Sequence, residues 1–261
     1  MVAELARSVL TSYVWLLTTG RKKMRGRCSF KNPLRSLGHG HDLKDFEVEM
    51  LHKRAVSSSV GADEGLMIMI SKLVEMTRLC SQCFSASPGA EPHMCLRLAG
   101  EVHEQSQILT KALLALRLDE QLINKLIRFP FRVERVVHML ENILACHRAR
   151  ALAHITFDDK AQREQEQIFA LLLDILTNLR DALQNTSREA LLAVLFQGKR
   201  LEAMVQQFAG THWERVKSGA FPGEASTMWC EILDSARSAN EYLMEMAANL
   251  LELGAPESNE I

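Results

Sequence analysis

The stretch Arg128-Phe-Pro-Phe-Arg-Val-Glu-Arg-Val-Val-His138 decides the fold. It opens a long amphipathic run that continues through Met-Leu-Glu-Asn-Ile, and roughly a hundred residues later the chain carries its counterpart. That second stretch reads Cys230-Glu-Ile-Leu-Asp-Ser-Ala-Arg-Ser-Ala-Asn240 and runs on through Glu-Tyr-Leu-Met-Glu-Met. Each is preceded by two other long helix-periodic segments. Three helices used twice describe an internal repeat, one architecture laid down in tandem.

Working outward, the periodicity predicts six helices. Met67, Ile70, Leu73, Val74, Thr77, Cys80 and Phe84 recur every three or four residues and mark the first, which ends near Phe84. Ser85 to Pro92 carries two prolines and a glycine and reads as a loop. The second helix covers about His93 to Arg117, with Leu98, Ala99, Val102, Ser106, Leu109, Leu113 and Leu116 inward. Asp119 is placed to cap the third, which reaches about His154; Pro130 inside it predicts a late start or a kink. The fourth opens at Thr156-Phe-Asp-Asp159 and has the cleanest stripe: Ile168, Leu171, Leu172, Ile175, Leu176, Leu179 and Leu183. Thr186-Ser-Arg-Glu189 matches a capping box at the start of the fifth. The sixth spans about Ala225 to Leu253 and stops at Gly254-Ala-Pro256. The expected class is all-α: two tandem three-helix bundles, six long antiparallel helices. The expected division is a basic segment 1–45, a first repeat 46–155, a second repeat 156–254 and a tail 255–261.

Composition agrees. Of 261 residues 47% are hydrophobic and only 6% aromatic, which favours helices over sheets and provides a sizeable core. Net charge is −1 but unevenly spread: Arg21 to Arg35 holds seven basic residues and no acidic one, whereas the chain from Ala55 onward is acidic. Val2 to Leu17 is moderately apolar, too short to span a bilayer and followed by the basic cluster, so residues 1–35 read either as a segment that touches a membrane surface or as a disordered, solvated tail. The uninterrupted basic run is confined to that segment and holds a single aromatic, Phe30, which argues against nucleic acid. Six scattered cysteines without a secretory signal read as thiols of a reducing compartment, and Cys80/Cys83 is a lone C-x-x-C. No P-loop, nucleophile elbow or H-E-x-x-H is present, so the chain is expected not to be an enzyme.

Arg128-Phe-Pro-Phe-Arg-Val-Glu134-Arg135 with Phe157-Asp-Asp-Lys-Ala161, and His212-Trp-Glu-Arg215-Val-Lys-Ser-Gly219 with Ile232-Leu-Asp-Ser-Ala-Arg237, resemble landmarks of the PhoU-like family. The resemblance covers about residues 48 to 253 and is closest to PhoU-like domains associated with sodium–phosphate cotransporters. It implies a bacterial accessory protein of phosphate uptake or signalling. Such a protein is cytoplasmic or peripheral at the inner membrane face, and it contacts a phosphate transporter or a phosphate-sensing kinase. The family's helices carry (Glu/Asp)-x-x-x-Asp metal motifs, whose carboxylates lie about 6 Å apart on one helix face. In this chain the first motif becomes Glu134 and His138, the second Ala236 and Asn240, and no (Glu/Asp)-x-x-x-Asp occurs anywhere. The expected remnant is a first-repeat site for iron, zinc or manganese, formed by Glu134 and His138 with Glu101, His103 or Glu104 from the second helix. Arg135, Arg237, His212 and Arg215 are the expected interaction residues, read as ion-pairing or interhelix hydrogen-bonding groups. The alternatives are a metal-binding bundle built on Glu134 and His138, or a structural module that self-associates into a homo-oligomer.

Overall fold

The structure, a computed structural model, describes residues 64–83, 92–115, 120–219 and 223–253. These form six helices, and among the described residues there is no strand. They are α1 (64–83), α2 (Pro92–Ala115), α3 (Glu120–Leu152), α4 (Asp159–Asn185), α5 (Arg188–Lys217) and α6 (Gly223–Leu253). The all-α class follows directly. The segment 1–63, the 84–91 loop, Leu116, Asp119 and the tail from 254 lie outside the described residues. None of the six helices is long and apolar enough to cross a membrane.

Local chemistry sets the helix ends. Asp158 sits in extended conformation and its Oδ1 accepts the Ala161 N–H at 2.7 Å, which satisfies one of the unpaired donors of the first turn of α4. At the next junction the N-cap lies one residue later than the sequence pattern places it, and with Ala190 in the third helical position no capping box closes. Ser187, not Thr186, is the N-cap, accepting the Ala190 N–H at 3.1 Å, while its hydroxyl donates to Glu189 at 3.1 Å. Thr186 instead closes α4 in the left-handed region, at φ 52°. A connection of two residues between α4 and α5 leaves no route except an antiparallel return. Gly219, at φ 69°, adopts the same region after α5, where the missing Cβ removes the penalty. α3 begins at Glu120 rather than beyond Pro130 and runs through the proline, at the cost of one intrahelical hydrogen bond.

Packing follows the stripes. Ile168, Leu171, Leu172, Ile175, Leu176 and Leu179 of α4 are all buried, as are Leu98, Ala99, Val102, Ser106, Leu109 and Leu113 of α2. On α1 the buried face also includes Met69 and Met76, and Met67 is only partly covered. α2 packs on α3, α4 on α5 and α5 on α6, and α1 meets α2 where Leu109 lies against Gly65. The broadest pairing joins the two halves, α3 against α6. Moving forward along α3 from Arg132 to Cys146 moves back along α6 from Glu245 to Glu231, so the seam is antiparallel. The apolar core is continuous across it, from Ile70 on α1 to Ala247 on α6.

Candidate functional site

The residues expected to hold a metal are distributed among different neighbours. Glu134 on α3 meets His103 on α2, with Oε1 3.0 Å from Nδ1. The Gln107 amide lies 2.8 Å from the other ring nitrogen and can only donate to it, so the neutral tautomer carries its hydrogen on Nδ1 and donates it to Glu134. Both imidazole nitrogens are therefore engaged by protein groups. His138 turns to Glu141 on its own helix, at 3.8 Å. Glu101 accepts from Lys72 of α1, whose ammonium holds that carboxyl below its usual range, and Glu104 is exposed. Among the described residues, no three His, Cys, Asp or Glu side chains gather as a metal-holding group.

The positions of the second degenerate motif have gone to packing. Ala236 and Asn240 are fully buried, and the Asn240 amide donates to the Gly198 carbonyl of α5 at 2.8 Å. A carboxylate in place of that amide would have no hydrogen to give and would face a carbonyl oxygen. Since Glu134 and His138 answer to different partners, Glu134→Ala and His138→Ala are expected to leave the metal content of protein purified without chelator unchanged. Elemental analysis checks this, and loss of one equivalent in both variants would restore a shared site.

The four expected interaction residues divide into two kinds. Arg135 and Arg237 stay on their own helices: the Arg135 guanidinium lies 5.0 Å over the exposed Phe131 ring, and Arg237 bonds Asp234 at 2.9 Å. His212 and Arg215 tie helices together. His212 Nε2 is 2.8 Å from Ser226 Oγ on α6, and Arg215 donates to Glu164 on α4 at 2.8 Å and reaches Asp158 at 3.4 Å. Burial, reinforced by the Arg215 charge, pushes the His212 imidazole below its ordinary 6.5. The folded protein then holds this ring neutral, and below pH 6.5 the unfolded chain binds the proton first. Stability is thus fully present above that value and is lost as pH falls through the depressed one. A Tm measured from pH 7.5 downward is expected to fall more steeply in the wild type than in His212→Gln; parallel curves would mean another group sets the slope.

A groove of about 770 Å³ runs along the seam between α3 and α6. Ala145 and Ala149 on α3 are too small to fill it, and Glu224, Glu231 and Asp234 border it from α6. Those carboxylates belong to a helix that carries six acidic residues and one basic one, Arg237. Cys146 donates its thiol hydrogen to Glu231 at 3.0 Å. Burial first, then the bond to Glu231 and its charge, push this thiol up to about 12, so it remains protonated at neutral pH and does not act as a nucleophile. What the groove offers is a row of exposed carboxylates over small apolar side chains, with Asp234 at one end already paired to Arg237. Periodicity did not reveal it, because each carboxylate reads alone as a solvated helix position; only the α3–α6 register aligns them beside the two alanines.

Comparison of the chain with protein-family models, with curated proteins and with solved structures returns no match.

Proposed function

We propose that the chain is a non-enzymatic regulatory module, PhoU-like in kind, which serves phosphate uptake or phosphate signalling in bacteria by binding a transporter or a sensor protein at the cytoplasmic side. The observation that carries this reading is the α3–α6 groove with Glu224, Glu231 and Asp234 along one wall. Three carboxylates spread over several helical turns do not converge on a point, as acid–base catalysis would require. They are suited instead to an extended basic segment of a partner, whose aliphatic stems would lie on Ala145 and Ala149. The groove lies on the junction of the two halves, so a bound segment would touch both at once. The repeated landmarks in the sequence supply the phosphate context.

The test uses the full chain as bait against lysate of phosphate-starved bacteria, beside a Glu224→Lys/Asp234→Lys variant, since both side chains are exposed. Expected is recovery of a phosphate transporter or sensor kinase by the wild type and its loss with the variant. Recovery of neither would overturn the phosphate reading, and equal recovery by both would remove the groove from it.

A further inference from the structure

Cys80 and Cys83 stand one turn apart on α1 and form a lone C-x-x-C in sequence. The fold adds a third thiol. Cys95, fourth residue of α2, faces them from across the α1–α2 hairpin, with its Sγ 3.9 Å from that of Cys80. All three side chains are buried, none is in a disulfide, and Cys95 also shares a side-chain hydrogen bond with Cys83. The pair lies near the described ends of both helices, since α2 begins three residues before Cys95.

The electrostatics differ between the two sulfurs. The hydrogen bond from Cys80 lowers the Cys95 pKa against the opposing effect of burial, and the Arg148 guanidinium on α3 lowers it further. Cys80 is pushed well up, first by its bond to Cys95 and then by burial. The Cys95 thiol is thus the easier of the two to deprotonate, the asymmetry that suits an attacking and a resolving cysteine.

We propose that Cys95 and Cys80 form an oxidisable dithiol whose co-substrate is hydrogen peroxide. The Cys95 thiolate attacks one peroxide oxygen; a sulfur–oxygen bond forms, the oxygen–oxygen bond breaks, and the departing hydroxide takes up a proton to leave as water. The Cys80 sulfur then attacks the Cys95 sulfenic acid, forming the disulfide as the sulfur–oxygen bond breaks and the second water leaves. Two thiols are oxidised to one disulfide and one peroxide is reduced to two waters. The bond would clamp α1 to α2 within the first half of the molecule. This proposal is independent of the groove, which lies on the opposite pairing of α3.

The test treats the full chain with hydrogen peroxide under native conditions, alkylates the remaining thiols and digests with trypsin and chymotrypsin without reduction. Trypsin alone keeps Cys80, Cys83 and Cys95 on one peptide, between Arg78 and Arg97, and chymotrypsin cuts that peptide after Phe84. Expected is a joined pair of fragments, lighter by two hydrogens than their sum, which separates on reduction. The join should persist in Cys83→Ser and vanish in Cys80→Ser, with circular dichroism showing both variants still helical. Two unjoined fragments from the wild type, one alkylated at both Cys80 and Cys83 and the other at Cys95, would overturn the proposal, as would a join that survives Cys80→Ser.

Discussion

Arg215→Ala will lower the Tm by roughly 6–20 °C, the equivalent of losing about 3–5 kcal/mol in a chain of this size. The pair it breaks is an unusual one for this protein. The Arg215 and Glu164 side chains are only 11% and 6% exposed, and Thr211 donates a further hydrogen bond to the same carboxylate. Removing the guanidinium strands a buried charge between α4 and α5, and the cost is dominated by that stranded carboxylate, not by the lost attraction. Two comparisons fix the interpretation. Lys199→Ala breaks an ion pair whose partners are 72% and 49% exposed, and its Tm should move by no more than about 4 °C, since such pairs contribute about 0–1 kcal/mol. Arg215→Met with Glu164→Leu removes both charges together and should recover most of the loss. Thermal melts followed by circular dichroism decide it: if Arg215→Ala melts with Lys199→Ala, the pair is solvated and the burial reading is wrong.

Gly198→Val will destabilise by about 3 kcal/mol, or roughly 6–12 °C in Tm. A glycine inside a helix normally costs about 1 kcal/mol relative to alanine, so its presence in mid-α5 needs a packing reason. That reason is Met244. A Cβ at position 198 would lie 2.4 Å from Met244 Cγ and 2.5 Å from its Sδ, with Asn240 Oδ1 at 3.1 Å. The near part of the methionine, not its mobile tip, is what blocks the space. Relief by rotation would also disturb the Asn240 bond to the Gly198 carbonyl, which is fully buried. The clash exceeds the propensity gain, so the sign is unfavourable even for the smaller Gly198→Ala. Met244→Ala in the same chain should return part of the stability of Gly198→Val; a strictly additive double variant would show that the two positions do not meet.

The helices were legible because one face of each is buried, and burial writes a three-to-four-residue period into the sequence. Ile168 to Leu179 carries that period without interruption, and every member is buried. Met69 and Met76 were not legible: an unbranched thioether fills gaps between helices, and its position depends on the neighbouring helix rather than on its own. The cap at Thr186 was misplaced by one residue because two adjacent hydroxyl residues can both cap, and only the backbone decides which of them is extended. Candidate-site residues were harder for the same reason. Glu134 and His138 share a helix, which suggests partnership, yet helix-to-helix register sends Glu134 to His103 on α2, while His138 meets Glu141 one turn along its own helix. Cys95 joins Cys80 only through the pairing of α1 with α2, which no local pattern encodes.

The α3–α6 seam has a kinetic consequence. Within each half, contacts close modest stretches of chain: Lys72 to Glu101 spans 29 positions and Glu164 to Arg215 spans 51. Across the seam, Cys146 to Glu231 spans 85 and Arg132 to Glu245 spans 113. Loop closure costs about 0.6 kcal/mol more for each doubling of length, so a chain that has not yet docked its halves pays most for the contact that shields the greatest surface. The halves are therefore expected to assemble first, with the docking of α6 on α3 last. Until it does, Val136, Ile143, Ile232 and Ala239, all buried in the finished molecule, belong to helices whose broadest pairing is still missing. The step that brings α6 onto α3 is thus also the interval in which the molecule is expected to be most prone to associate with another copy of itself.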